Sequence, residues 1–292
     1  MNRTGSNPPT NPKTNTVAII PARYDSLRLP GKALLEIAGK PMICWVVERT
    51  RAARNVARTI VATDDERICN AVQSAGYEVV MTSGDHRSGT DRVAEVAANL
   101  DDADIIVNVQ GDEPLISPDT IEGAVTAMEQ SWNWGKAERN LAEEYIGIVT
   151  SWEPIECAAD VLNPDVVKVL VNENERAIYF SRLPVPYPRE AVLKYGSIEA
   201  ALSREPGLLT NFRKHTGLYV YRREVLLEFA KWPHSTLERL ESLEQLRALE
   251  HGVWIKAIRA GTPSIGVDTL EDLERVRHLV ASQEAGVSSS LA

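Results

Sequence analysis

Between Thr16 and Lys32 the chain reads TVAIIPARYDSLRLPGK, an apolar run that turns abruptly cationic. Val17 to Ile20 has the unbroken β-branched and aliphatic character of a strand buried on both faces. Pro21-Ala22-Arg23 ends it, and Arg23, Arg28 and Lys32 follow in a loop with Pro30 and Gly31. In an open α/β sheet, ligands bind beyond the carboxyl ends of the strands. Three cations there suit a polyphosphate better than a single carboxylate, and the plainer alternative is a solvated basic loop. The spacing Gly-x-x-x-x-Gly-Lys of the ATPase phosphate loop is absent.

A chain of 292 residues can bury a large core. Its net charge of -9 argues against a nucleic-acid surface, so anionic ligands need a local basic site or a metal. Cys44, Cys69 and Cys157 lack metal or redox spacing and are expected as buried thiols in a reducing compartment. Residues 1–15, rich in Asn, Pro and Thr, are expected to be a disordered tail without the hydrophobic segment of a signal peptide. No run approaches the ~18 apolar residues that span a membrane, and a soluble cytoplasmic protein is expected. Residues 16–280 are expected to form one domain, with 160–220 a mixed extension of the kind that carries acceptor specificity or a dimer surface, and 281–292 a flexible tail.

After Lys32, a short extended piece is expected at Ala33 to Ile37. Helices at Met42 to Ala53 and Glu66 to Ala75, the second capped by Thr63 or Asp64, alternate with strands at Thr59 to Ala62 and Glu78 to Met81. This alternation predicts an α/β fold, a mostly parallel sheet with helices on both faces. The polar stretch Thr82 to Arg92 is expected as a loop, leading into a helix from Val93 to Leu100. Ile105 to Val109 is the next strand, and Asp119 to Gln130 a helix. Ser131 to Glu144 has no stable period and is expected as an insertion or mobile loop. Strands follow at Ile146 to Trp152, Val166 to Val171 and Ala177 to Phe180, with a turn over Asp160 to Pro164 and a hairpin-like turn over Asn172 to Glu175. Lys194 to Leu209 is expected to be exposed and weakly structured. Leu237 to His251 is expected as one amphipathic helix ended by Gly252, and Trp254 to Ile258 as a strand. Ile265 to Thr269 is expected to be extended, before a helix from Leu270 to Val280.

Asp112 and Glu113 follow the Ile105 strand, on the sheet edge that carries Arg23 and Lys32. Asp112 is well placed there to hold a divalent cation beside a phosphate chain; the plainer alternative has Asp112 or Glu113 help cap the next helix, but Ser117, Pro118 and Asp119 already supply that start. Asp268 is either the cap of the next helix or a second carboxylate for that cation. Ser181 to Pro188 has three prolines and cannot be helical, so Arg182 is presented from a stiff segment, suited to a substrate carboxylate. Strand alternation puts His215, Gly217, Tyr219 and Tyr221 on one face of His215 to Tyr221, and His215 is either an ordinary strand histidine or a pocket wall.

The chain resembles the 3-deoxy-manno-octulosonate cytidylyltransferase family, from about Thr16 to Arg277. The resemblance rests on IPARYDSLRLPGK (Ile20 to Lys32), SGDHRSGTDR (Ser83 to Arg92), NVQGDEP (Asn108 to Pro114), NPDVVKV (Asn163 to Val169), YFSRLPVPYPR (Tyr179 to Arg189), KHTGLYVYR (Lys214 to Arg222), LEQLRALEHG (Leu243 to Gly252) and GVDTLEDLERVR (Gly266 to Arg277). It implies a nucleotide-diphospho-sugar transferase fold, transfer of CMP from CTP to 3-deoxy-D-manno-octulosonate (Kdo) with release of pyrophosphate, a place in lipopolysaccharide biosynthesis, and a homodimer. An 8-amino analogue of Kdo, a sialic acid, or a non-catalytic role are the alternatives. By the same resemblance Arg23 and Lys32 hold the triphosphate and act in catalysis with Asp112 and Asp268, which carry Mg2+. Ala22, Arg28, Asp112 and the Ser88, Gly89, Thr90 and Arg92 region contact the nucleotide. Gln110, Arg182, His215, Tyr219, Glu244 and Gln245 line the sugar-acid pocket.

Overall fold

Val17 and Ile19 pack into one hydrophobic core while Ala18 and Ile20 pack into another, so β1 (Thr16–Ala22) is covered on both faces. The computed structural model describes residues 14–26, 28–137 and 145–289. Residues 1–13, expected as a tail, lie outside them, whereas Thr14 and Asn15 are already bonded to Glu129 and Asp104.

A short 3-10 turn (Lys32–Leu34) and the two-residue strands β2 (Glu36–Ile37) and β3 (Lys40–Pro41) follow β1, in place of one extended piece. Then come α1 (Met42–Arg51), β4 (Arg58–Thr63), α2 (Glu66–Ser74), β5 (Glu78–Met81), α3 (Gly89–Ala98), β6 (Ile105–Asn108) and α4 (Pro118–Ala137). The second half holds β7 (Ile146–Pro154), α5 (Ala158–Leu162), β8 (Lys168–Val171), β9 (Ala177–Ser181), α6 (Arg189–Tyr195), α7 (Ile198–Arg204), β10 (Arg213–Arg222), α8 (Arg223–Phe229), α9 (Thr236–Glu241), α10 (Gln245–Glu250), β11 (Trp254–Arg259) and α11 (Leu270–Ser289).

The main sheet runs β11-β7-β10-β6-β1-β4-β5. Pairing is parallel through β6, β1, β4 and β5 and between β11 and β7, while β10 runs antiparallel to both β6 and β7. The hairpin β8–β9 branches from β10. Side-chain alternation sorts the two cores. Helices α3, α8 and α10 cover the face with Val17, Ile19 and Tyr221, and α1, α2 and α4 cover the face with Ala18, Ile20 and Val220. The mostly parallel α/β expectation therefore holds.

Several local expectations do not. Asp65 caps α2 by accepting from the Arg67 and Ile68 amides, which frees Asp64 to pair with Arg92. Helix α3 begins at Gly89, capped by Ser88, because the polar residues 88–92 form its first turn. Helix α4 continues through Ala137 where a loop was expected, and residues 138–144 lie outside the described ones. The stretch expected as a turn at 160–164 is mostly α5, whose Val161 is buried against Leu202 and Phe212. Residues 194–209 largely fold into α6, α7 and a 3-10 turn (Pro206–Asn211), packing Leu202 onto the same small core.

The expected single helix at 237–251 is two, broken at Ser242 with φ of 52°. Leucines three residues apart drift around a helix of 3.6 residues per turn, so Leu240 and Leu249 could not share one face. Leu240 is accordingly exposed while Leu246 is buried. Residues 265–269 form no strand, and α11 runs past Val280 to Ser289. Of the three cysteines only Cys44 is buried, and Cys157 is exposed.

Candidate functional site

Asp112 and Asp268 come from loops far apart in sequence, and a backbone bond joins them: the Val267 amide donates to the Asp112 carbonyl at 2.8 Å. The loop after β6 also closes tightly onto β1. A Cβ at Gly111 would stand 2.7 Å from the Pro21 carbonyl oxygen, so only glycine fits there. The two carboxylates then converge on one cation. The Lys32 ammonium donates to Asp112 Oδ2 at 2.5 Å and to Asp268 Oδ1 at 3.0 Å, and Arg28 reaches Asp268 Oδ2 at 2.8 Å. Burial opposes the charge on Lys32, but the two carboxylates outweigh it and hold its pKa above the ordinary value. Capping of α11 falls to Thr269 and Asp272, whose side chains bond each other's amides. Of the two expectations for Asp268, the cap is thus filled by its neighbours, and its carboxylate faces the lysine.

Beside this cluster lies a cavity of about 390 Å³ lined by Ala22, Arg23, Lys32, Ser88, Gly89 and Gln110, among others. The Arg23 guanidinium reaches the His86 carbonyl at 2.7 Å and the Arg87 carbonyl at 3.4 Å. Its Nε is buried with no hydrogen-bond partner among the described residues. Ser88 Oγ accepts from the Asp91 amide, and Ser88 and Gly89, at the start of α3, line the cavity. Arg92, expected to contact nucleotide, is not among the residues that line this cavity. It is fully buried and spans Thr82 and Asp64, where a helix-borne guanidinium fills a core position between two strand ends.

On the acceptor side, Gln110 Nε2 donates to Asn108 Oδ1 and to the Gly217 carbonyl. His215, Tyr219 and Tyr221 line one face of β10 as expected, with ring centroids 5.4 and 5.9 Å apart, and Phe180 meets His215 edge-on. Burial pushes the His215 pKa down to about 3, and its Nε2 lies 3.0 Å from Thr150 Oγ1. Glu244 lies against Thr90 and Ser88 at the cavity, and burial raises its pKa. Gln245 is buried at the start of α10. Arg182 stands apart. Its guanidinium donates to the carbonyls of Glu241, Pro164 and Ser242, and its amide to Glu241 Oε2.

Sequence reasoning missed Phe180 and Thr150, which wall in His215 from β9 and β7. Both lie in segments legible as strands, but only the sheet order brings them beside β10. It also left Glu113 unexplained. Burial first, with Asp112 adding, raises that carboxyl to about 7, next to the buried Glu153. Thr216 is buried with its hydroxyl 2.5 Å from Ser151 Oγ.

Cations and Asp112 follow the carboxyl ends of β1 and β6, Asp268 joins them from the loop before α11, and a cytidylyltransferase family model matches residues 17–258, which makes the chain a nucleotidyltransferase. The 3-deoxy-manno-octulosonate cytidylyltransferase of Trichlorobacter lovleyi is 49% identical over 263 residues, 89% of this chain and 96% of its own length. The enzyme of the same description from Geobacter sulfurreducens is 48% identical, over 90% of this chain and 98% of its own. The chain belongs to the 3-deoxy-manno-octulosonate cytidylyltransferase family. A solved structure of CMP:2-keto-3-deoxy-manno-octonic acid synthetase complexed with CTP is similar with a TM-score of 0.78 and 41% identity, covering 92% of this chain and 100% of that one. The 4-diphosphocytidyl-2C-methyl-D-erythritol synthase of Anaerococcus prevotii, 10% identical over 92% of this chain and 97% of that one with a TM-score of 0.57, shares the fold.

Proposed function

We propose that the chain transfers CMP from CTP to the anomeric hydroxyl of Kdo, releasing pyrophosphate in a Mg2+-dependent reaction. One observation carries the proposal: two carboxylates from separate loops close on a single cationic point, Lys32 Nζ, beside Arg23 and the start of α3. The ammonium stands in for a cation between oxygen donors. Mg2+ characteristically takes one or two carboxylates and completes its shell with phosphate oxygens and water, so Asp112 and Asp268 fit it. When bound there, Mg2+ supplies charge neutralisation at the α-phosphate and acidifies the attacking hydroxyl.

The chain's own groups do the rest. Lys32 and Arg23 hold the triphosphate, and they take the charge that develops on pyrophosphate as the bond from the α-phosphorus to its bridging oxygen breaks. The sugar hydroxyl oxygen forms the new bond to that phosphorus, and its proton passes to solvent. His215, with its pKa pushed to about 3, stays neutral and positions the acceptor by hydrogen bonding instead of taking the proton. Gln110, Tyr219, Glu244 and Gln245 line the acceptor side. Arg182 serves that side indirectly, by fixing the Ser242 turn that precedes Glu244 and Gln245.

A homodimer belongs to the same proposal, through the 160–220 extension that the sequence suggested. Val161 and Val169 are buried within the protomer, whereas Ile178, Leu183, Tyr187 and Leu193 are exposed on β9 and the segment after it. No helix among the described residues is long and apolar enough to cross a membrane, and a cytoplasmic site where CTP is supplied completes the proposal. Pyrophosphate release with CTP and a panel of Kdo, 8-amino-Kdo and N-acetylneuraminate tests it. Kdo should be turned over fastest, and no release with Kdo would overturn the assignment.

A further inference from the structure

Tyr24 lies between the cationic loop and the first turn of α2, and it touches both. Its carbonyl accepts the Gly31 amide at 2.8 Å, which closes the loop just before Lys32. Gly31 has φ of +67°, and a Cβ there would stand 3.1 Å from two ring carbons of Tyr24, so the ring rests against bare backbone. The Arg67 guanidinium lies 3.2 Å from the centroid of the same ring. Arg67 is itself held by Asp65, with Nε to Oδ1 at 3.0 Å and Nη2 to Oδ2 at 2.6 Å, and Asp65 caps α2. The Tyr24 ring also packs on the core that contains Ile68 and Val72 of α2. A continuous set of contacts thus runs from the rigid start of α2 through Arg67 and Tyr24 to Gly31 and the adjoining Lys32.

We propose that Tyr24 is a positioning residue for the nucleotide triphosphate: pinned by Arg67 and seated against Gly31, its ring holds the loop from which Arg23 and Lys32 reach the phosphates. The inference rests on the cytidylyl transfer proposed above. A loop with only one aromatic anchor would otherwise pay its ordering entropy on each binding event, and an ordered one binds more tightly at no new contact. The phenolic hydroxyl makes no hydrogen bond among the described residues, so the ring and not the hydroxyl carries this role. Neither Tyr24 nor Arg67 contacts the acceptor side, and their effect should fall on CTP alone.

The test combines titration calorimetry of CTP with Mg2+ and steady-state kinetics on the full chain and its Tyr24→Ala, Tyr24→Phe and Arg67→Ala variants. Tyr24→Ala should weaken CTP binding about tenfold, and Arg67→Ala about threefold, the scale of an exposed cation–ring contact. Tyr24→Phe should bind CTP as the native chain does, and the KM for the sugar acid should move in none of the three. Arg67 is largely exposed, so its variant keeps the test decisive if Tyr24→Ala does not fold. Native-like CTP affinity in Arg67→Ala and in any folded Tyr24→Ala overturns the inference alone, as does equal loss of affinity in Tyr24→Phe. A native chain that binds no CTP overturns the cytidylyl transfer as well.

Discussion

Lys32 and Lys168 are both lysines with little exposed surface, yet the protein treats them oppositely. Lys32 sits between Asp112 and Asp268, both partly exposed, with its pKa raised. Lys168 is fully buried, donates to the carbonyls of Asn163, Val166 and Arg182, and burial pulls its pKa down. A cation paired with solvent-reachable carboxylates can exchange partners when a phosphate chain arrives. One surrounded by backbone carbonyls cannot leave without orphaning them. The Lys32 cluster therefore keeps its charges available for chemistry, whereas Lys168 on β8 serves as an internal strut.

The largest effect expected from this contrast is kinetic. Asp112→Ala or Asp268→Ala should lower Mg2+-dependent pyrophosphate release by about a thousandfold. Because both acids are partly exposed, the urea midpoint should correspond to a stability within about 1 kcal/mol of the native chain. Near-native turnover in either folded variant would break the comparison on the catalytic side.

On the structural side, Lys168→Met should cost about 3 kcal/mol of stability by stranding three carbonyls, with kcat preserved wherever the protein is folded. Unchanged stability with lost turnover would place Lys168 among the reacting groups instead. Arg182→Lys sharpens the same point. It keeps the charge but loses the fork across Glu241, Ser242 and Pro164, and should cost about 1–2 kcal/mol in a thermal or urea melt.

The smallest expected effect is a pH slope. His215 is neutral in the fold with its pKa near 3, whereas an unfolded histidine takes a proton near pH 6.5. Below about pH 6.5 the unfolded chain binds more protons, so this residue's contribution is fully present above that pH. It is lost by up to about 1.4 kcal/mol per unit as pH falls toward 3. Urea midpoints at pH 7.5 and 5.5 should differ less in His215→Gln than in the native chain, and identical slopes would contradict a buried neutral imidazole.

Strand and helix alternation around β1, β4, β5 and β6 was legible because two-sided burial leaves unbroken apolar runs with helical punctuation between them. The acids and cations of the parallel edge were legible for a related reason: polar groups immediately after a buried strand have few structural duties there. Where the sequence misled, the deciding contacts were non-local. Arg92 and Arg182 look like ligand-binding cations until the fold supplies Asp64 and Thr82 to one, and three carbonyls to the other. Leu240 to Leu249 looks like one helix until the drift of its leucines forces the break at Ser242. Tyr24 drew no notice because its partner Arg67 lies on a different element, and no local pattern announces a ring held between a glycine and a guanidinium.

The most direct measurement is product analysis with the purified chain, CTP and Kdo, with and without Mg2+. CMP-Kdo and pyrophosphate should form one to one only when Mg2+ is present, and Asp112→Ala should form neither at a comparable rate. Absence of CMP-Kdo from the complete mixture, or equal yields after Mg2+ is removed with a chelator, would contradict the assignment of the Lys32, Asp112 and Asp268 cluster as the centre of the reaction.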